Sequence, residues 1–195
     1  MAEPSRLASL RRAIADESVR SLARRYFVAN GFDGTLTSIG VVVGAFLAGT
    51  AEGLAVIGIG LGAAVGLGTS GIWSVWEIER AETQIARAEI EAAMLTDLDD
   101  TRLSRDQRSA QIVLALAAAA GPVIGVVLTL LPFLFVGGAL TMFQAVLAAI
   151  GIGIVLLGGV GAYMGRISKQ RWYVAAIRMG LAGIVVAGIS VLLPG

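Results

Sequence analysis

Neither cysteine nor histidine occurs among the 195 residues of the chain. That excludes disulfides, Cys/His zinc sites, haem ligation and the Cys–His or Ser–His pairs that activate nucleophiles, and with them most enzyme chemistry. Charge is also scarce: 15% of residues are Asp, Glu, Lys or Arg, against roughly 25% in soluble domains. After Asp106 there is no Asp or Glu at all. The formal net charge of +1 gives no basis for binding nucleic acid. What fills the chain instead is apolar: 56% hydrophobic residues and a mean hydropathy of +0.82. The 26 glycines would each cost about 1 kcal/mol in a water-exposed helix interior, but in lipid they let helix backbones approach closely. Composition therefore implies an all-α membrane protein.

Five apolar segments have the length needed to cross the hydrocarbon core, at about 32–51, 53–76, 109–131, 138–164 and 173–193. The first two are joined by a turn at Thr50, Ala51 and Glu52, the third and fourth by Pro132 to Gly138. Neither turn contains Lys or Arg. Of the fifteen basic residues, six precede span one, five lie between spans two and three, and four stand at the junction of spans four and five. The positive-inside rule then places the N-terminus in the cytoplasm and the C-terminus outside. Every Trp and Tyr (Trp73, Trp76, Trp172, Tyr26, Tyr163, Tyr173) sits near a cytoplasmic span end, at the headgroup level such rings favour.

The first 30 residues carry six arginines and lack the apolar run of a secretory signal peptide, so no cleavage is expected. Leu7, Leu10, Ile14 and Leu22 fall near one helical face, which predicts an amphipathic interfacial helix over residues 1–30 on the membrane's cytoplasmic surface. The remainder, 31–195, is the five-helix transmembrane domain, with 77–108 an acidic cytoplasmic helical extension between spans two and three.

Within the predicted spans the one acid is Asp33. An ionisable group at membrane depth costs about 2.5–3.5 kcal/mol on insertion scales and is by default a functional candidate. The plainer alternative is that Asp33 caps the start of span one. Asp33, Thr37, Gly40, Gly44 and Ala48 are spaced by four, three, four and four residues, placing a carboxylate, a hydroxyl and three small residues on one face. Such a face can approach a neighbouring helix closely. If the neighbour is span one of a second subunit, two Asp33 carboxylates converge into a cation site. Ordinary packing also uses this spacing, and Gly58, Gly62 and Gly66 in span two repeat it without an acid.

Beyond span two, Ile78, Ala81, Ile85, Ala88, Ala92 and Leu95 follow heptad steps, so that span is expected to continue out of the membrane as an amphipathic helix. Glu77, Glu79, Glu82, Glu89 and Glu91 decorate it. Glu79 and Glu82, one turn apart near the membrane end, with Glu77, could gather hard or borderline divalent cations, and Met94 adds a soft ligand. A solvated face of Glu–Arg pairs is the competing account.

The run FDGTLTSIGVVVGAFLAG in span one, the small-residue-rich span two leading into SGIWSVWEIERAE, and five spans with the N-terminus inside resemble the vacuolar iron transporter family and its prokaryotic relatives. The Asp-Gly-x-x-Thr start, here Asp33, Gly34 and Thr37, is its most specific element. The resemblance implies a homodimer in a prokaryotic inner membrane, exporting ferrous iron or manganese from the cytosol by proton antiport through a path lined by span one of each subunit. No cofactor is permanently bound, and lipid is the other partner. On that resemblance Asp33 is the intramembrane site, Thr37 a further oxygen ligand, and Glu79 and Glu82 part of the cytoplasmic carboxylate cluster. Two features depart from the pattern: only about 32 residues separate spans two and three, and residues 53–76 contain no methionine. A different class of function, a non-transporting scaffold or lipid- and protein-interaction module, has no need of Asp33.

Overall fold

The apolar runs fold as long helices in a computed structural model that describes residues 6–94 and 102–192, with side chains over 8–92 and 107–192. The heptad position Leu95, the acids at 97–100, the Met94 side chain and the C-terminal Gly195 lie outside the described residues. Among the described residues six α-helices succeed one another: α1 (Arg6–Ala15), α2 (Glu17–Leu47), α3 (Gly53–Met94), α4 (Arg102–Leu130), α5 (Met142–Ile167) and α6 (Trp172–Leu192). By length and composition the last five can each cross a membrane.

The expected amphipathic helix over 1–30 is divided at Asp16. Its carboxylate accepts hydrogen bonds from the backbone N–H of Ser18 (2.8 Å) and Val19 (3.4 Å) and from the Ser18 hydroxyl (2.6 Å), which caps α2 and ends α1. These donors, Ser18 foremost, hold the Asp16 carboxyl below its ordinary pKa. Residues 17–30 are thus continuous with span one. α1 lies against α4, tied by a hydrogen bond from the Ser109 hydroxyl to that of Ser9 (2.9 Å), with Ala13 buried and Ile14 exposed. Asp33 consequently stands in the middle of α2, and the helix-cap account of it does not hold.

α3 has 42 residues, or about 63 Å of helix, roughly twice the hydrocarbon thickness. The helix thus continues without a break well past its apolar run, as the heptad pattern predicts. Among the described residues the heptad face is exposed: Ile78 and Ile85 are 50% and 58% exposed. The contact with α4 uses another face, through Gly71, Val75, Glu79 and Thr83.

The dominant contact of α2 is with α4. Gly31 lies against Gly121, Gly34 against Pro122, and Thr35 against Gly125, each so close that a Cβ on the glycine would meet backbone or the threonine hydroxyl. One turn further, the buried Ser38 and Thr129 hydroxyls are hydrogen-bonded to each other, and Thr129 also donates to its own helix. α5 and α6 pair in the same manner, Gly161 and Gly165 against Ala175 and Trp172. Val42, Val56, Val126, Phe133, Ala145 and Ala149 fill the space between the pairs.

At the far end, Pro132 begins a short 3-10 turn (Leu131–Phe135), and the chain reverses through Gly137 at φ +85°. α5 then starts at Met142, where Thr141 and Gln144 form a capping box, rather than at 138 as hydropathy predicts. Ala139 and Leu140 add to the hydropathy of the run but belong to the turn, where the Leu140 N–H donates to the Phe135 carbonyl.

Small residues are therefore not equivalent along the chain. Gly34→Ala should destabilise the fold by about 1–3 kcal/mol, because its methyl overlaps Pro122 in a packed crossing. Gly62→Ala, with nothing within 4 Å of the new methyl, should leave folding unchanged. Reversible denaturation of the two variants in detergent micelles measures the difference.

Candidate cation site

Tyr26, Asn30, Asp33 and Thr37 recur on α2 at steps of four, three and four, so these four polar groups share one stripe. At its charged end the Tyr26 hydroxyl donates to Glu79 Oε1 (2.8 Å), joining α2 to α3 past its apolar run. Asp33 lies seven residues further along, about 10 Å by helical rise. Thr37 is one turn deeper.

Asn30 is fixed by a backbone defect in the facing helix. Pro122 has no N–H, so the Ala118 carbonyl, four residues before it, loses its helical donor. Asn30 Nδ2 donates to that carbonyl at 3.1 Å. Pro122 itself is buried in the α2–α4 crossing, with its orphaned acceptor satisfied.

Asp33 opens on a cleft of about 130 Å³ between α2 and α3, lined also by Asn30, Ser70, Ser74 and Leu67. Ser70 and Ser74 are four apart on α3 and present two hydroxyls to the same space. The donor set is thus one carboxylate, one amide and two hydroxyls, all oxygen-bearing and suited to a hard or borderline cation. The outward part of the face is open: Asp33, Thr37, Gly44 and Ala48 are exposed in the isolated subunit, and Gly44 has no neighbour within 4 Å of a built Cβ.

The candidate glutamates are not gathered in one place. Glu79 is partly buried and held by Tyr26, and it lines a second cleft, of about 340 Å³, with Asp16 and Arg12. Glu82 is exposed, and so is Glu77, which two positions from Glu79 lies on the far side of α3. Glu91 forms an ion pair with Arg87 at 2.9 Å. Among the described residues no three acids converge on a common point. The sequence marks Tyr26 only as an interfacial aromatic and gives no sign of Asn30, Ser70 or Ser74 beyond their helical spacing and the carbonyl that Pro122 orphans.

Residues 71–194 match the model of the VIT family. A relative from Methanocaldococcus jannaschii, described as an uncharacterized protein, is 29% identical over 187 residues, covering 94% of this chain and 93% of its own length.

The Asn30 contact has a direct test. Asn30→Ala strands the Ala118 carbonyl in an apolar crossing and should cost about 1–2 kcal/mol of stability. Asn30→Gln, whose longer side chain misplaces the amide, should recover only part. Chemical denaturation of each purified variant reports the loss.

Proposed function

The chain belongs to the VIT family, and from that premise we propose that it exports a divalent cation, ferrous iron or manganese, from the cytosol in exchange for protons. The family is one of metal-ion transporters rather than enzymes, and the five long apolar helices make this an integral membrane protein. An archaeal relative of nearly the same length supports a prokaryotic cell membrane as its location.

The observation that carries the site is Asp33: a carboxylate in mid-helix, beside a cleft of oxygen-bearing side chains, on a face that is exposed at Asp33, Thr37, Gly44 and Ala48. Its exposure supports a two-fold pairing of α2 with α2 through Gly40, Gly44 and Ala48. Two Asp33 carboxylates brought together cannot both stay ionised without a cation, since each raises the other's proton affinity. Metal and protons then compete for one site, which is the basis of antiport. Thr37 and the serines of the α3 cleft supply neutral oxygens.

Glu79, with Glu82 and Glu77 on the surrounding surface, attracts hydrated cations at the basic end of the bundle, which the positive-inside rule makes cytoplasmic. Tyr26 links this capture region to the stripe that leads to Asp33. The ion passes along α2 from Glu79 to Asp33 and leaves on the opposite side.

Proteoliposome transport separates the two roles. Asp33→Asn should abolish metal flux at every concentration, because the ion loses its counter-charge where water is scarce. Glu79→Gln combined with Glu82→Gln should raise the apparent KM several-fold and leave the maximal rate near wild type, an effect weakened by salt. Full flux through Asp33→Asn would sink the mechanism.

The pairing is tested on its own. Gly44→Cys in this cysteine-free chain should cross-link to its symmetry mate under mild oxidation, and Gly44→Leu should weaken the dimer. Cross-links obtained only through cysteines placed in α5 or α6 would remove the paired site.

A further inference from the structure

On the opposite side of the α3–α4 contact from Tyr26 lies a groove of about 400 Å³ that the cation pathway does not use. Its walls carry three arginines: Arg80 and Arg87 from α3, and Arg108 from α4. Gln84 and Gln107 add amide groups, and Trp76 forms one end. No carboxylate lines it among the described residues, although Arg87 is paired with Glu91 beside it, which leaves Arg80 and Arg108 as the cations of interest. Gln111 forms its inner side, buried, with Nε2 donating to Thr83 Oγ1 at 3.2 Å and to the Glu79 carbonyl at 3.4 Å. That bond fixes the separation of the two helices, and so the width of the groove.

We propose that this groove binds the phosphate headgroup of an anionic phospholipid, held by Arg80 and Arg108, with the glycerol and the start of the acyl chains against Trp76. The polarity of the groove changes along its length in the order such a lipid requires. Trp76 stands where α3 leaves its apolar run, directly after the exposed Ile72 and Trp73. Arg80 is one helical turn further out, about 6 Å, which is the depth of the phosphate layer relative to the hydrocarbon edge. Arg108 enters from the facing helix, so two guanidinium groups can approach one phosphate from different sides. Guanidinium forks match phosphate oxygens in bidentate fashion, more specifically than point charges do.

A soluble phosphate would use the arginines but not the tryptophan end. The groove is also distinct from the general basic surface: Lys169 and Arg171, at the turn between α5 and α6 on the same end of the bundle, are exposed and do not line it. A lipid seated here bridges α3 and α4 just beyond the membrane, on the helix that carries Glu79. Its binding does not depend on the transport reading.

The experiment uses delipidated full-length protein in a neutral detergent, titrated separately with phosphatidylglycerol and phosphatidylcholine, with bound lipid counted by native mass spectrometry. Phosphatidylglycerol should be retained selectively. Arg80→Gln with Arg108→Gln should weaken it by about thirtyfold, from roughly fivefold per arginine at an anionic surface. Lys169→Gln with Arg171→Gln should leave it unchanged. Arg80→Lys with Arg108→Lys keeps the charge but loses the fork, and should still prefer phosphatidylglycerol while binding it less tightly than wild type, so the result does not hang on the folding of the glutamine pair. A wild-type protein that does not distinguish the two lipids, or equal losses in both glutamine pairs, overturns the proposal. So does inorganic phosphate that displaces the lipid as effectively as added phosphatidylglycerol, since the ligand would then be a soluble anion.

Discussion

The crossing of α2 and α4 is the constraint from which the rest follows. Gly31 and Gly34 meet Gly121 and Pro122 with no side chain between them, so the two backbones come closer here than branched residues would allow. A proline at such a point would normally leave a carbonyl unsatisfied in an apolar medium. Asn30 supplies the missing donor, and the buried Ser38–Thr129 hydrogen bond repeats the pattern of polar contact across the same pair of helices. Helix, proline and asparagine thus form one unit.

That unit also decides which way the remaining faces look. With Gly31, Gly34, Thr35 and Ser38 committed to α4, the stripe through Tyr26, Asn30, Asp33 and Thr37 is turned toward α3 and toward the outside of the subunit. The carboxylate is consequently held at a cleft edge rather than in the core. Desolvation is the main cost of an intramembrane acid, and a partly open position next to amide and hydroxyl groups lowers it. The same orientation leaves Gly44 and Ala48 uncovered, a cost in lipid that a second subunit would offset by close packing.

On the charged end, α3 and α4 separate two environments. One side of their contact presents Glu79, Asp16 and Tyr26; the other presents Arg80, Arg87 and Arg108. Gln111 and Thr83 sit between, hydrogen-bonded to each other. Along α3 the sorting is partial, since Arg87 is paired with Glu91 one turn away. A cation and an anionic headgroup can therefore be attracted to neighbouring positions with limited mutual interference, provided water and salt screen the outer charges.

The sequence by itself determined the all-helical class, the five crossing segments, the extension of α3 and the segregation of basic charge to one end. These are additive, local properties: hydropathy summed over twenty or so residues, or the position of a charge along the chain, does not depend on what a helix touches. Asp33 was legible for the same reason, as an isolated acid in an apolar run. The face that each helix buries was not. Gly34 and Gly44 belong to equally plausible small-residue patterns, and only the presence of α4 makes one a tight contact and leaves the other open. Asp16 rather than Asp33 became the cap because local backbone hydrogen bonds ended α1 there. The link from Asn30 to the Ala118 carbonyl spans 88 residues, and the arginine groove draws its walls from two helices. Such features exist only once tertiary packing has fixed a rotation and a separation for each helix pair, which hydropathy does not encode.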